Sequence, residues 1–542
     1  MPHLMPNPTS PRNALTRENR RFTAVFPIAV FLFALLVLFS RVVSAGISHD
    51  EYQFIASSQV LVNQGLLPYV DYPFLHMPYQ IPVNAAAILL CAYHLLAVRI
   101  LNAVFFLASV MTVFFLVSQR FQTQPGWMRG LAGFLSSMLL LFDPTLTGMD
   151  GRALNHALPV LLSLLAFALF EAWTRGKRAS LTLLGCGLLV GLAIGVRLSF
   201  AVLLAPFFVI LLWVPRLQPF RKRVKNTAVF LAGAGAALLP AGLLVIAAPR
   251  NFYFGNYVYI RLNTIYRQEV LFQGSMTPLA KAQYFGETVL SHPASLILYA
   301  GLLLTAAYLA ARLVRREGRE SAVLLLAVLL SLALLAAGFA ATPLWPQYFF
   351  APMPFVLISA FSGLAMIPKA LPRLLALGGI AAALILGFPW HQTARQLGVL
   401  AAPAQWVPVQ AHEVAEQVQS IVGDGKVAAL APIYPLEAGL ETYSPFIVGP
   451  FVWRTAPLLS QDGRRQYDLL SFHEIEAALN ADPPAAILTG FETDYGFDAN
   501  SFGQLEKPLL DYARKHHYQP ARTWKPGFWP ADITIWIKIN EE

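Results

Sequence analysis

GISHDEYQFIASSQVLVNQGLLPYVDYPF, residues 46–74, begins where an apolar run of about Phe22–Val43 ends. Arg12, Arg17, Arg20 and Arg21 precede that run, so the positive-inside rule keeps the N-terminus in the cytoplasm. The run is too long for a signal peptide, and no small-residue cleavage site follows it convincingly. An acidic stretch placed just beyond such a span emerges outside the cytoplasm at the lipid–water boundary. The rest of the chain is read outward from that point.

Of 542 residues, 56% are hydrophobic and 13% charged, more apolar surface than a soluble core can hide. Apolar stretches of roughly 17–25 residues recur, the length a helix needs to cross a bilayer. The net charge of +10 does not indicate nucleic acid, because the cations sit in short clusters between apolar segments, as in cytoplasmic loops facing anionic lipid. One segment decides the topology. If residues 79–97 crossed the membrane, Arg120, Arg129, Arg175, Lys177 and Arg178 would all lie outside. If this segment lies in the interface or re-enters, Arg120/Arg129, TRGKR (174–178), RKRVK (221–225), RREGR (315–319) and Lys369/Arg373 all fall inside. Pro78, Pro82, Asn84 and His94 also argue against a lipid-exposed span.

Eleven spans follow, at about 22–43, 100–119, 130–142, 154–173, 181–196, 198–214, 227–248, 294–311, 321–339, 348–366 and 374–389. An odd number places the C-terminal part outside. The sequence thus predicts an all-α polytopic membrane protein of about eleven transmembrane helices with a C-terminal soluble α/β domain. Its expected parts are a cytoplasmic tail (1–21), a transmembrane domain (22–390) with an acidic first external loop (44–99), and an extracytoplasmic domain (391–542). In the last part a linker (400–408) leads to a helical segment (412–422) and to strand candidates at 426–430, 485–490 and 533–539. It carries no catalytic motif and reads as a lid or an acceptor-recognition surface. Cys91 and Cys186 both fall in apolar segments, so no disulfide framework reaches the outside.

Four groups of residues could carry chemistry. His49-Asp50-Glu51 offers two carboxylates beside a histidine where a helix leaves the membrane, suited to general-base work or to a divalent cation. Its structural alternative is a capping box, Ser48-x-x-Glu51. The loop LFDPTLTGMDGRALNH (141–156) holds Asp143, which reads as a turn residue. It also holds Asp150, Arg152, Asn155 and His156, polar groups at a depth where pairing or wetting is required; Asp150 could instead cap the following span while Arg152 snorkels. Arg197, in IGVRLSF, lies on the wrong side for topology signalling and could bind an anionic headgroup or a leaving phosphate; its structural alternative is an isolated arginine marking a turn between two spans. Arg250, Arg261 and Arg267 lie in or beside an aromatic strip, NFYFGNYVYIRLNTIYRQ (251–268), of the kind that rests in the interface. Gly187, Gly191 and Gly195, spaced by four, predict close helix packing.

These stretches carry a resemblance. HDEYQFIASSQVLVNQGLLPYVDYPFLHMPY (49–79) is similar to the acidic first external loop of the GT-C glycosyltransferases, in the bacterial integral-membrane group related to protein O-mannosyltransferases, aminoarabinose transferases and the RgtA-like enzymes. RILNAVFFLASVMTVFFLVSQRF (99–121), with its leading arginine, resembles a second segment of that group. GMDGRALNHALPVLLSLLAFALFEAW (148–173) resembles its second acidic loop and WPQYFFAPMPFVLISA (345–360) its late aromatic–proline span, where Gln347 stands in place of the usual arginine before Tyr348. The resemblance covers roughly residues 20–390.

It implies interfacial helices in the first loop, Asp50 as catalytic base, Glu51 assisting or binding metal, and Asp150 as a second acidic group. A divalent cation, Mg or Mn, would sit on Asp50 and Glu51. Arg152, His156, Arg197, Arg261 and Tyr348 are the candidates for holding donor phosphate or substrate. Nucleotide sugars are not available outside the cytoplasm, so the implied donor is a polyprenyl-phosphate sugar, and the acceptor a lipid, polysaccharide or protein at a bacterial inner membrane. A transporter or flippase of a lipid-linked saccharide is the competing expectation.

Overall fold

The computed structural model describes residues 11–146, 149–176, 179–213, 219–270, 276–314, 320–492 and 505–538. The basic residues Lys177, Arg178 and 315–319 therefore lie outside the described residues. The chain opens with α1 (Pro11–Ser44), whose apolar part, Val25–Ser44, is long enough to cross a membrane. Ser48 then caps α2 (His49–Gln64), and Gly65, at φ +70°, ends it in the left-handed conformation that glycine adopts without strain. A loop leads to α3 (Gln80–Ile88). Nine residues rise only about 14 Å, well short of the ~30 Å hydrocarbon core. The chain turns at Leu89–Tyr93 before α4 (His94–Arg120) begins, so the apolar segment 79–97 is broken in the middle and does not cross. Leu89 and Leu90 are exposed at that turn.

The bundle continues through α5 (Gly126–Leu141), α6 (Ala157–Thr174), α7 (Ala179–Val196), α8 (Leu204–Trp213) and α9 (Phe220–Ala247). A broken helical stretch follows, with α10 (Pro249–Tyr253), α11 (Tyr259–Ile265) and α12 (Pro278–Phe285), and then α13 (Pro293–Val314), α14 (Glu320–Ala340), α15 (Met353–Ala365) and α16 (Ala370–Gly387). Among the described residues seven helices are long and apolar enough to span, and four shorter apolar ones accompany them. They coincide one for one with the segments expected from hydropathy. The glycine spacing of α7 has its physical reason in α9. A Cβ on Gly187 would lie 1.9 Å from the Phe230 carbonyl oxygen, and one on Gly191 2.4 Å from that of Ala234. The two backbones pack too closely for any side chain at those positions.

Past the bundle, α17 (Trp390–Val399) leads into α18 (Val407–Val422), and Trp406 packs edge-on against Phe39 of α1. The strands are β1 (Lys426–Ala428), β2 (Glu441–Thr442), β3 (Ala486–Thr489), β4 (Tyr518–Trp524) and β5 (Ile533–Lys538), in spatial order β2-β1-β3-β5-β4. β1 runs parallel to β2 and β3, whereas β5 runs antiparallel to β3 and β4. Four short helices, α19 (Ile433–Glu437), α20 (Pro450–Thr455), α21 (Gln461–Tyr467) and α22 (Ile475–Ala481), lie between β1 and β3. Val407, Ala411, Val414 and Val418 of α18 share one apolar core with the sheet and with Tyr52, Phe54 and Ile55 of α2. Gln59 of α2 donates to the Ile433 carbonyl at 3.2 Å. The C-terminal sheet therefore sits on α2, in the segment that follows α1.

Candidate active site

The first turn of α2 separates two adjacent acids. Ser48 Oγ accepts from the Asp50 amide at 3.3 Å, and the Glu51 carboxylate accepts from the Ser48 amide at 3.1 Å, which closes a capping box. Glu51 then points inward. It pairs bidentately with Arg99 at 2.8 and 2.7 Å and accepts from the Ala153 amide at 2.7 Å, and both side chains are fully buried. Arg99 also donates to the carbonyls of Val42, Ala45 and Gly46. This pair fastens the end of α1, the start of α2, α4 and the loop before α6 together. The expectation that Glu51 assists in catalysis or binds a cation is corrected, because its oxygens are already engaged by a buried guanidinium and two amides. Among the described residues no group of three His, Cys, Asp or Glu side chains could hold a metal ion. The donor set does not fit an Mg or Mn site on Asp50 and Glu51.

Asp150 meets a similar fate. It is buried against Arg41, which also donates to the Leu141 carbonyl at 2.8 Å and lies over the Phe142 ring. It pins the loop to α1 instead of facing the site as a second acid. Asp50 stays available. Its side chain is 39% exposed, and His49 Nε2 lies 3.9 Å from its Oδ1.

Around Asp50 stands a ring of cations and phenols. Its charge acts on Arg197, Arg267 and Arg454, on Tyr259 and Tyr348, and on His49, His76 and Glu492. Arg197, at the end of α7, donates to His156 Nδ1 at 2.7 Å, and its guanidinium lies 5.5 Å from the centre of the Tyr348 ring. A guanidinium only donates, so that imidazole nitrogen carries no proton. Arg197, His156 and Tyr348 thus come together as the sequence proposed. Arg152 lies at the edge of the site, where its Nε donates to the Gly46 carbonyl at 3.0 Å. Arg261 is exposed, and Arg267 takes the place expected for it. Arg267 sits in a π-helical turn (Tyr266–Val270) and stacks on Trp345 with its guanidinium 4.9 Å from the ring centre; such bulges re-aim side chains and recur at functional sites.

Sequence reasoning missed three groups. His76 stacks on Phe54, and burial, reinforced by Arg197, pushes its pKa down to about 4. Glu492, beyond β3, approaches His49 Nδ1 to 3.7 Å. Burial holds the Glu492 carboxyl well above its usual range, with the nearby Glu506 adding to the effect, and burial lowers His49 to about 4. With its pKa near 4, His49 is uncharged at neutral pH, so the contact is polar and not an ion pair. Arg454 of α20 donates to Asn263 Oδ1 at 2.9 Å. No acid in its own segment, PFVWRT, marked it as anything but a surface cation. Its burial without an acidic partner among the described residues becomes visible only in the folded chain.

No protein-family model matches the sequence, and no curated protein matches it either. Solved structures do. ArnT from Cupriavidus metallidurans bound to undecaprenyl phosphate aligns over 94% of this chain and 97% of its own, at 13% identity and a TM-score of 0.56. The same protein in its apo state gives 12% and 0.54. The archaeal oligosaccharyltransferase AglB from Archaeoglobus fulgidus, in complex with an inhibitory peptide and a dolichol-phosphate, aligns over 87% of this chain and 70% of its own, at 12% identity and a TM-score of 0.50. The chain has the fold of the GT-C membrane glycosyltransferases.

Proposed function

We propose that this protein is an inverting glycosyltransferase that moves a sugar from a polyprenyl-phosphate donor to a hydroxyl of an acceptor outside the cytoplasm. The observation that carries the proposal is Asp50, a partly exposed carboxylate at a helix N-terminus with no arginine or lysine at ion-pair distance among the described residues, whose charge acts on Arg197, Arg267 and Arg454. Structural neighbours of the same fold bind undecaprenyl phosphate or a dolichol-phosphate, which supports a lipid donor. The N-terminus is cytoplasmic in this reading, and the C-terminal sheet lies outside a bacterial inner membrane.

The chemistry is a single displacement. Asp50 takes the proton of the acceptor hydroxyl as its oxygen forms a bond to the anomeric carbon. The bond from that carbon to the phosphate oxygen breaks, and its electron pair leaves with the polyprenyl phosphate. The phosphate passes from one negative charge toward two, so arginines near it stabilise the transition state more than the bound donor. Arg197, steadied by His156 and Tyr348, is placed for that task. Deletion cells carrying wild type, Asp50→Asn or nothing test the reading through a mass-spectrometric profile of polyprenyl-phosphate sugars. One sugar–lipid species should accumulate in the deletion and in Asp50→Asn, and be cleared by wild type. An Asp50→Asn variant that clears the lipid as wild type does would refute the assignment.

A further inference from the structure

Two buried guanidinium groups of this chain are neutralised by carboxylates within the fold. Arg99 has a bidentate carboxylate and three backbone carbonyls, and Arg41 has a carboxylate and a carbonyl. Arg454 is just as buried, at 4% exposure, and has neither. Its bonds go to the amide oxygen of Asn263 at 2.9 Å and, at 3.5 Å, to the Tyr259 hydroxyl, while its Nε has no acceptor. The rings of Phe451 and Tyr266 lie 4.7 and 5.4 Å from its guanidinium carbon. Among the described residues no carboxylate comes within ion-pair distance of Arg454, Arg267 or Arg197. Arg267, whose Nε also has no acceptor, feels the repulsion of Arg454 directly.

Aromatic faces and an amide offset only part of the desolvation of a guanidinium, and two neighbouring cations add to the deficit. Nothing among the described residues resolves it, yet both side chains are held in place. An incoming anion with several oxygens would. Asp50 does not fill that role, since it stays outside ion-pair distance and is needed free as a base.

We propose that Arg454, supplied by the C-terminal sheet region, completes the pocket for the phosphate that the polyprenyl donor releases. The inference rests on the transferase reading above. The C-terminal region is then part of the catalytic centre and not only a lid, and the leaving phosphate is gripped between it and the helix bundle. Because the negative charge on the phosphate grows as the anomeric bond breaks, Arg454 favours the released polyprenyl phosphate over the intact donor. Its loss lowers kcat more than it raises the donor KM.

The test uses the full chain in lipid nanodiscs with two probes, undecaprenyl phosphate and the uncharged alcohol undecaprenol. Wild type should prefer the phosphate. Arg454→Gln should lose at least tenfold of that preference, and Arg454→Lys should recover part of it. The ligand-free melting temperature of Arg454→Gln should be no lower than that of wild type, since an uncompensated charge has gone. An Arg454→Gln variant with wild-type preference for the phosphate overturns the inference and leaves the transferase reading standing. A wild-type protein that does not distinguish the two lipids overturns the transferase reading, and the inference with it.

Discussion

Replacing Glu51 by alanine separates the two acids of HDE by what each does. Removing this carboxylate leaves Arg99 buried at 0% exposure with its charge uncompensated. Breaking a buried pair from one side costs about 3–5 kcal/mol. The Ala153 amide, which loses its acceptor, adds about 1–3 kcal/mol. Against a total stability of about 5–15 kcal/mol, Glu51→Ala should express poorly and melt far below wild type. Asp50→Ala, one residue earlier, loses only a helix-dipole contribution of about 0.3–1 kcal/mol and should melt close to wild type while losing transfer. The double replacement Glu51→Leu/Arg99→Leu removes the stranded charge and should regain much of the loss, short of the three carbonyls that Arg99 satisfied. The assay is thermal unfolding of purified protein in nanodiscs, alongside turnover of the donor lipid. Glu51→Ala melting within a degree or two of wild type with transfer abolished would refute the argument and return Glu51 to the chemistry.

Two other perturbations follow from the same geometry. A Cβ at Gly151 would lie 2.4 Å from the Arg41 carbonyl oxygen, so Gly151→Ala must displace the loop that carries Asp150. A loss of about 1–3 kcal/mol in unfolding measurements is expected, and wild-type stability would contradict the packing. Glu492 titrates above the usual carboxylate range in the folded protein. The native state thus holds a proton that the unfolded chain releases above pH ~4.3, and stability falls as pH rises from there toward the folded pKa. Glu492→Gln should therefore be more stable than wild type at pH 7, with the advantage vanishing near pH 4; a gap independent of pH would show that this carboxyl is not protonated in the fold.

Hydropathy and basic clusters made the eleven helices legible, because both signals are local to each segment. The segment 79–97 shows where hydropathy alone is insufficient. It is nearly apolar enough to span, and the side on which later arginines fall, with Pro78, Pro82, Asn84 and His94, argued against it; the break at Leu89–Tyr93 then appears in the fold. Ser48-x-x-Glu51 was legible as a capping box for the same local reason. What the sequence could not separate was Asp50 from Glu51. The partner of Glu51 lies 48 residues away and its amide donor 102 residues away, and neither distance has a sequence signature. Asp150 was similarly opaque, its arginine lying 109 residues upstream. Arg454 sits among aromatic and neutral residues, where an arginine reads as a snorkelling side chain. Strand β4 escaped because its exposed run PARTW lacks an apolar alternation, and β2 because it has two residues.

The sheet resting on α2 also fixes an order of events during synthesis. Gln59 and its partner Ile433 are separated by 374 residues. At about 5–20 residues per second, the ribosome reaches the partner about 20–75 s after the loop has been made. Until then the apolar face of α2 has no cover from β1, β3 and α18. A cell making this protein must shelter that face for the interval, whether in lipid headgroups or by a chaperone, and truncation before α18 would leave it uncovered for good.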